Sequence, residues 1–353
     1  MIGPDTTGAG PAVDPRSIRR LSRAISIVED QAEGHADILA AAYRAPALSR
    51  VIGVTGPPGA GKSTLVDALT QHWVAAGEAV AVLAVDPSSP FSGGAVLGDR
   101  VRMDRSADLP GVYVRSLSAR GQGGGLSAGI GDVLAVLNQA GFRRVLLETV
   151  GAGQADLAVA DAADCTLVVG VPGLGDAIQA SKAGMMEVGD VYVVNKADRP
   201  GADATVHEID AALAVAYPGP AGVSAATAIR RRLPQSAGSA GRRALLARHG
   251  DPERDPTLWR PPVLPASATA GDGIAALAAA IDAFLDWCAA SGRLDLRRRS
   301  RIRWQVLQAL GAALLAPYRA GDGDAAAALA AWVDRILDGQ ASPIEAAADL
   351  IAG

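Results

Sequence analysis

Short apolar runs alternate with longer segments of helical periodicity through the middle of the chain. The apolar runs cover residues 51–55, 80–85, 112–115, 145–148, 165–171, 190–195 and 263–266. The helical segments between them cover about 62–76, 125–140, 176–187, 203–216 and 273–287. Continuous apolar strands that alternate with helices are typical of a sheet buried on both faces. The pattern therefore predicts an α/β fold with a doubly wound, mostly parallel sheet.

Helical segments without strands flank this alternating region. Residues 1–13 are rich in Gly, Pro and Thr, and an apolar stripe at helical spacing follows them. Gly, Ser, Pro and Arg interrupt the alternation at 230–262, and three Ala-rich amphipathic segments end the chain at about 295–317, 322–338 and 343–352. We predict a flexible segment and helical arm at 1–45, an α/β domain at 46–290 with an exposed insertion at 230–262, and a helical extension at 291–353.

The segment between the first apolar run and the first helix of the sheet region has the pattern of a phosphate-binding loop. It reads G-x-x-x-x-G-K-S-T over Gly56, Pro57, Pro58, Gly59, Ala60, Gly61, Lys62, Ser63 and Thr64. Glycines allow backbone N–H groups to point at phosphates, and the positive end of the following helix adds to that attraction. Lys62 is then placed to reach the β- and γ-phosphates, and the Ser63 hydroxyl to ligate Mg²⁺. The strand–loop–helix context favours nucleotide binding over a glycine-rich turn without a ligand.

A second motif follows the sixth apolar run and matches the guanine-reading sequence N-K-x-D, at Asn195, Lys196 and Asp198. The Asp198 carboxylate can accept hydrogen bonds from N1–H and from the N2 amino group of guanine, a pairing that adenine does not offer. The stem of Lys196 is expected to lie along the base. Ser267 and Ala268 follow the last apolar run and match the loop whose backbone N–H meets guanine O6. Together with the phosphate loop, these residues favour GTP and GDP over ATP.

Three acidic residues are expected at or near the phosphate edge of the sheet. Asp86 ends the second apolar run, Glu148 ends the fourth, and Asp99 lies in a Gly-Asp-Arg sequence after the second. Each acid alone could cap a helix or a turn, but with Ser63 they predict a Mg²⁺ site, reached directly or through water. Gln154 follows closely after Glu148, and either orients a water molecule or contacts a loop.

Composition changes this picture in few respects. Hydrophobic residues make up 49% of the chain, charged residues 20%, and the formal net charge of −4 favours neither a nucleic-acid nor a membrane partner. The two cysteines, Cys165 and Cys288, form no metal motif, and we expect both to be buried.

Residues 1–15 lack an apolar signal core, and no uncharged apolar run approaches the ~20 residues of a membrane span. A cytoplasmic protein is therefore expected. The arginine-rich stretch 297–303 is expected to form a solvated, partner-facing side of a helix.

Five sequence blocks together resemble the MeaB/ArgK/MMAA proteins of the G3E class of P-loop GTPases. The blocks are GPPGAGKST, DPSSPFSGGAVLGDRVRM, ETVGAGQ, VPGLGDAIQASKAG and VNKAD, in this order. The match covers about residues 15–290, and the second and fourth blocks are more specific than the phosphate loop. The resemblance implies a GTPase chaperone of an adenosylcobalamin-dependent acyl-CoA mutase, typically methylmalonyl-CoA mutase. Such a chaperone gates cofactor loading and protects or reactivates the mutase.

The resemblance also implies roles for individual residues. Lys62, Ser63, Asp86, Asp99 and Glu148 match the phosphate and Mg²⁺ residues of the family. Because family members typically pair through the C-terminal helical extension, it further implies a homodimer.

A third switch region that responds to the partner is implied at residues 173–182, where Gln179 and Lys182 match the functional side chains. Ala177 stands where the family often has an acidic residue, which leaves the identity of the partner mutase open.

Two alternative functions stay open on the sequence. A nickel metallochaperone GTPase of the same class usually carries a His-rich or Cys/His metal site, and a kinase of a transport protein needs an acceptor-binding site. The sequence shows neither motif. The favoured prediction is a switch enzyme with slow intrinsic hydrolysis, which follows where no arginine finger or well-placed glutamine acts in cis.

Overall fold

A parallel sheet with helices on both faces forms the centre of the molecule. The computed structural model describes residues 15–86, 106–118, 125–149, 154–173, 188–216, 259–319, 321 and 323–352. The strands within these ranges are β1 (Arg50–Thr55), β2 (Val80–Asp86), β3 (Val112–Ser118), β4 (Arg144–Thr149), β5 (Cys165–Gly170), β6 (Val191–Val194) and β7 (Val263–Pro265). The helices are α1 (Pro15–Glu29), α2 (His35–Arg44), α3 (Lys62–Ala75), α4 (Gly125–Gln139), α5 (Gln154–Ala162), α6 (Ala202–Ala216), α7 (Ile274–Ala290), α8 (Arg293–Arg319), α9 (Gly323–Leu337) and α10 (Pro343–Ala352).

The order of the strands places the end of β1 at the centre of the sheet. The seven strands run in the order β3-β2-β4-β1-β5-β6-β7, and all neighbours are parallel. The chain builds one half of the sheet from β1 through β4, and then the other half from β5 onward. Ligands of such sheets bind at the carboxyl ends of the strands where the direction of winding reverses. The predicted doubly wound fold is confirmed, and the reversal lies beside the loop that follows β1.

Alternate residues of β1 face two separate cores. Ile52 belongs to the core beneath α3 and α7, together with Leu69 and Phe284. Val51 belongs to the opposite core beneath α1, α4 and α5, together with Leu137. Because both faces of the central strands are covered, these strands are mostly apolar, and their polar residues, such as Arg50, Thr55, Arg144 and Glu148, lie near the strand ends.

Most predicted elements are present where the periodicity placed them. The helical arm forms as α1 and α2, and the C-terminal segments form as α8, α9 and α10. Cys165 and Cys288 are both buried and form no disulfide, as expected, and burial raises the pKa of the Cys288 thiol to about 11. Helix α5 was not predicted. The helix predicted at 176–187 lies outside the described residues.

The end of the predicted insertion packs against the domain. Residues 230–258 lie outside the described part of the chain, but Trp259 is half-buried. Its indole donates a hydrogen bond to the carbonyl of Asp190 at 2.8 Å, and its ring lies edge-on to Phe284 with centroids 5.1 Å apart. The chain is therefore fixed to the α7 face of the sheet from Trp259 onward.

Two aspartates at the amino edge of the sheet repeat one arrangement. Asp164 directly precedes β5, and its carboxylate accepts the N–H of Val51, the second residue of β1, at 3.1 Å. Asp190 directly precedes β6, and its carboxylate accepts the N–H of Thr166, the second residue of β5, at 2.8 Å. Each aspartate thus joins the amino ends of two neighbouring strands.

The expectation that the arginine-rich stretch is a solvated face is wrong for three of its members. Arg297 donates two hydrogen bonds of 2.9 Å to the carboxylate of Asp190. Arg298 lies 2.9 Å and Arg301 3.2 Å from carboxylate oxygens of Asp164. Both aspartate side chains are 0% exposed, so the ion pairs are largely removed from water. Helix α8 is anchored to the amino edge of the sheet by these five residues, here called the arginine cluster.

Within the described ranges, no single helix has the length and hydropathy of a membrane span. The helices Ile274–Ala290 and Arg293–Arg319 have that length and hydropathy only when they are counted as one segment, and they are bent by 85° relative to each other.

Candidate nucleotide-binding site

The loop between β1 and α3 closely approaches two other parts of the carboxyl edge. Gly56 has φ 149°, and a Cβ there would lie 2.3 Å from the carbonyl oxygen of Val169 on β5. Gly61 has φ 83°, and a Cβ there would lie 2.6 Å from the amide nitrogen of Asn195. A side chain at either position would therefore displace the loop from β5 or from the N-K-x-D motif.

Lys62, the first residue of α3, is held inside the loop. Its ammonium group donates hydrogen bonds to the carbonyls of Gly56 at 2.8 Å and Pro57 at 3.3 Å, and the residue is only 7% exposed. The positive charge of Lys62 is thus held inside the loop, next to the first backbone N–H groups of α3, which also attract anions.

Ser63 and Glu148 meet at the carboxyl edge of the sheet. The Ser63 hydroxyl donates a hydrogen bond of 2.5 Å to the Glu148 carboxylate, which is provided by β4 next to β1. Glu148 is 4% exposed. A hydroxyl and a carboxylate are oxygen ligands of the kind that Mg²⁺ prefers, so this pair fits the predicted metal site.

Asn195 joins the two nucleotide motifs. Its amide nitrogen donates a hydrogen bond of 2.9 Å to the carbonyl of Ala60 in the phosphate loop. Its amide oxygen accepts the backbone N–H of Ala268 at 3.2 Å. One side chain therefore fixes the phosphate loop relative to the loop that follows β7.

Lys196 and Asp198 occupy the positions expected for reading a base. Lys196 has a left-handed backbone (φ 59°), which is unfavourable for a residue with a side chain, and its ammonium group donates to the carbonyl of Gly59 at 2.7 Å. Asp198 is exposed, and Ser267 donates a hydrogen bond of 2.6 Å to its Oδ1. That hydrogen bond, with a smaller contribution from the backbone of Asp198 itself, holds the pKa of Asp198 below its ordinary value. The carboxylate is therefore ionised, and its second oxygen is available to a donor.

Open space adjoins this guanine side of the site. A cavity of about 660 Å³ lies between α3 and the turn after β7, lined by Thr64 on one side and by Ala268 and Thr269 on the other. The residues that line it include Asp67, Gln71 and His72 of α3 but none of the N-K-x-D residues, so the cavity adjoins the loop of Ala268 and does not by itself outline a base pocket.

Several predicted site residues are not placed by the structure. Asp86 ends β2 and Gln154 begins α5, so both backbones are at the carboxyl edge, but their side chains are not described. Asp99, Gln179 and Lys182 lie outside the described residues. Among the residues that are described, there is no group of three or more His, Cys, Asp or Glu side chains suited to hold a metal ion.

Comparison with known proteins identifies the family. Residues 21–321 match the profile of the methylmalonyl-CoA mutase-associated GTPase MeaB. The chain therefore belongs to the MeaB family of GTPases. A protein of Pyrococcus abyssi that carries a GTPase name is 38% identical over 82% of this chain and 78% of its own length.

Two further MeaB relatives carry more specific names. The Escherichia coli GTPase ArgK is 36% identical over 72% of this chain and 67% of its own length. The mouse mitochondrial methylmalonic aciduria type A homolog is 32% identical over 73% of this chain and 55% of its own length. Among solved structures, a LAO/AO transport system kinase superposes with a TM-score of 0.61 over 98% of this chain and 99% of its own, at 24% identity. That similarity supports the fold.

Proposed function

We propose that this MeaB-family protein is a Mg²⁺-dependent GTPase with slow intrinsic turnover that serves as a chaperone of an adenosylcobalamin-dependent acyl-CoA mutase, most specifically methylmalonyl-CoA mutase. The proposal that the protein binds GTP rests on the contact of Asn195 with both Ala60 and Ala268, which brings the phosphate loop and the guanine-reading residues into one site. The proposal that the partner is a mutase is supported by the family profile and by the name of the mouse relative.

Different residues of the site serve phosphate binding and metal binding. On nucleotide binding, Lys62 exchanges its bonds to Gly56 and Pro57 for the β- and γ-phosphates, and its charge offsets that of the reacting phosphoryl group. Ser63 and Glu148 would hold Mg²⁺, with Asp86 and Asp99 as the further acids that the resemblance assigns. When bound, Mg²⁺ neutralises charge that develops on the phosphate oxygens.

Guanine selection rests on Asp198 and on the backbone of Ala268. The ionised Asp198 carboxylate is oriented by Ser267, so it can accept two hydrogen bonds from guanine. The N–H of Ala268 is already directed at a side-chain oxygen, that of Asn195, and can be shared with guanine O6.

Stimulation by the partner is proposed to act through Gln179 and Lys182, the residues of the implied third switch. A cation supplied during hydrolysis stabilises the transition state strongly, so slow basal turnover and partner stimulation are linked. The test is single-turnover GTP hydrolysis with and without the mutase. Lys182→Ala and Gln179→Ala are expected to remove most of the stimulation and to spare basal turnover and mutase binding. Equal stimulation of both variants and the wild type contradicts this role and leaves the GTPase assignment intact.

Assembly as a homodimer is proposed to use the C-terminal helices. Large apolar side chains on α8, α9 and α10 are more than one-third exposed, among them Leu296, Trp304, Val306, Leu307, Leu310, Leu314, Leu329, Val333, Leu337, Ile344 and Ile351. Helices with exposed apolar side chains of this kind bury them against another surface, and symmetric dimers are the commonest assemblies.

The described residues offer no cluster of metal-binding side chains that favours the nickel metallochaperone alternative.

The experiment that tests the proposed function is a pull-down with candidate cobalamin-dependent mutases, in the presence of GDP or of a non-hydrolysable GTP analogue. Calorimetry with GTP and ATP accompanies it as a test of the site. We expect capture of a mutase that depends on the nucleotide, together with a strong preference for GTP. Equal affinity for ATP and GTP contradicts the nucleotide assignment, whereas GTP preference without capture of any mutase contradicts only the partner.

A further inference from the structure

The outward side of α1 carries three arginines that no acid balances. Arg19, Arg20 and Arg23 are all exposed. Within the described part of the chain, no hydrogen bond or ion pair holds any of these three guanidinium groups. The acid of α1 is Glu29 in the last turn, and Glu29 is paired with Arg115 of β3. The first part of the helix therefore presents a local positive charge on a chain whose formal net charge is −4.

This arrangement does not help the helix to form. Arg19 and Arg23 are four residues apart and Arg20 and Arg23 are three apart, and side chains at these spacings are neighbours on a helix. Like charges at such spacings destabilise a helix, whereas an acid at one of these positions would form a favourable pair. The first turn of α1 contains no acid either. Because the three arginines neither stabilise α1 nor pair with another element, the fold alone does not account for them.

An apolar side chain continues this side of the helix. Ile27 lies one turn after Arg23 and is half-buried, but it belongs to none of the described cores. The opposite side of α1, with Leu21, Ile25 and Val28, is buried in the core that α1 shares with α4. Arginines beside a partly exposed apolar side chain are typical of protein interfaces, in which Arg is enriched. We call the following residues the basic face: Arg19, Arg20, Arg23 and Ile27.

The fold restricts what can bind to the basic face. A helix that lies on a membrane inserts its apolar side into the lipid, but that side of α1 is already buried against α4. Single-stranded nucleic acids bind to basic surfaces that also offer aromatic rings for stacking, and α1 contains no aromatic residue. Binding of a duplex through its phosphates alone is opposed by the negative net charge of the chain. An acidic protein surface requires neither insertion nor stacking, because guanidinium groups pair with carboxylates directly.

We propose that the basic face is the docking surface for an acidic surface of the partner mutase. The inference rests on the proposed function, because it takes the partner from there and adds the place where that partner binds. Charges at the edge of an interface attract the partner and raise the rate of association, and salt screens them. The basic face contains none of the residues assigned to nucleotide binding, so it serves docking and takes no part in hydrolysis.

The test measures the association of the full chain with methylmalonyl-CoA mutase by surface plasmon resonance at low and high salt. The triple variant Arg19→Glu, Arg20→Glu, Arg23→Glu is expected to associate about 10-fold or more slowly at low salt, because electrostatic attraction raises association rates by at least that factor. At high salt, where the charges are screened, the difference should shrink to less than about threefold. The neutral variant Arg19→Gln, Arg20→Gln, Arg23→Gln should fall between. Unchanged basal GTP hydrolysis and GDP affinity show that the variants are folded.

The matched control is the triple variant Arg143→Glu, Arg299→Glu, Arg319→Glu, which changes the net charge equally at exposed arginines elsewhere. It is expected to associate nearly as fast as the wild type. If both triple variants slow association equally, the overall charge governs binding and the inference fails. It also fails if the basic-face variant associates at the wild-type rate.

Phosphatidylserine vesicles test the competing occupant. If the wild type binds them and the basic-face variant loses that binding but still binds the mutase normally, the basic face serves a lipid surface and the inference is wrong. A wild type that does not bind the mutase overturns the proposed partner, and the inference with it. That result is distinct from a wild type that binds the mutase together with variants that bind it equally well, which overturns the inference alone.

Discussion

The hydroxyl of Ser63, in the first turn of α3, and the carboxylate of Glu148, at the end of β4, are joined by a hydrogen bond of 2.5 Å at the carboxyl edge of the sheet. Both are hard oxygen ligands. They approach because β4 pairs directly with β1, so the end of β4 and the helix after β1 share one edge. A Glu in place of the Asp of many GTPases is therefore long enough to reach the Ser63 hydroxyl, the ligand proposed for the metal.

The first prediction concerns these metal-site acids. Glu148→Ala and Asp86→Ala are expected to lower the rate of GTP hydrolysis far more than the affinity for GDP. The physical reason is that the metal mainly serves the γ-phosphate and the charge that develops on it. Hydrolysis is measured at saturating Mg²⁺, and GDP affinity by calorimetry. Unchanged hydrolysis in either variant would show that the substituted residue is structural.

The second prediction concerns nucleotide selection. Asp198→Asn is expected to weaken GTP binding by about 1.5–3 kcal/mol, the value of hydrogen bonds to a charged group, and to favour xanthosine nucleotides. Xanthine carries an oxygen in place of the guanine amino group, and that oxygen can accept from the new amide. Asp203→Asn, an exposed residue in the first turn of α6, is the control and should bind GTP normally. A wild-type affinity for GTP preserved in Asp198→Asn contradicts the assignment.

The third prediction concerns the arginine cluster. Arg297→Gln removes the partner of a fully buried carboxylate, Asp190, and is expected to lower the free energy of unfolding by about 3 kcal/mol or more. Arg299→Gln on the same helix is the control, because Arg299 is exposed, and its effect should stay within about 0.5 kcal/mol. Denaturant unfolding of the nucleotide-free protein measures both. If both substitutions lower the free energy of unfolding by equally small amounts, the ion pair with Arg297 is not required to keep Asp190 buried.

A fourth prediction gives this cluster a pH dependence. Burial alone would raise the pKa of Asp164, but the charges of Arg301 and Arg298 and their hydrogen bonds outweigh it and hold the pKa below its ordinary value. A depressed carboxylate pKa contributes stability that is present above the unfolded pKa, about 3.9, and is lost as the pH falls through the folded pKa. The double variant Arg298→Gln, Arg301→Gln should therefore be less stable than the wild type at pH 7. The difference should shrink as the pH is lowered below about 4. A difference that stays constant from pH 7 to pH 3 contradicts this account.

The fifth prediction concerns assembly. Light scattering is expected to give a dimer for the whole chain and a monomer for Leu310→Glu, because Leu310 is 54% exposed within the apolar face of α8. Arg303→Gln, also exposed on α8, should remain a dimer. Point substitutions are better suited than removal of residues 293–353, since that truncation also deprives Asp164 and Asp190 of their arginines. A Leu310→Glu variant that still dimerises places the main interface elsewhere.

The sheet could be predicted from the sequence because its central strands are buried on both faces and are mostly apolar. Strand β3 shows the limit of that pattern, since the predicted run stops at Arg115 but the strand continues to Ser118. Arg115 is retained in the strand by contacts with α1, where it donates to the carbonyl of Ser22 at 3.0 Å and pairs with Glu29. Helix α5 was missed because it has only nine residues and its apolar residues do not form a clear stripe.

The predicted site residues could be assigned to one edge of the sheet because their motifs are local. The phosphate loop and the N-K-x-D motif each fall within a few residues, and each follows an apolar strand that fixes its place at the carboxyl edge. The contacts that hold these motifs in place are not local. Asn195 and Ala60 are 135 residues apart, and Ser63 and Glu148 are 85 residues apart, so no local pattern reveals these contacts.

The arginine cluster also bears on the order in which the chain acquires structure during synthesis. The seven strands of the described ranges are made before Arg297, Arg298 and Arg301 leave the ribosome, since β7 ends at Pro265. Until then, Asp164 and Asp190 have no guanidinium partners from α8, and the amino ends of β1, β5 and β6 are joined only by their own backbone and carboxylate hydrogen bonds. Domains of this size fold as units during translation, N-terminal parts first. The two buried carboxylates at the amino edge therefore receive their guanidinium partners only after the last described strand has been synthesised.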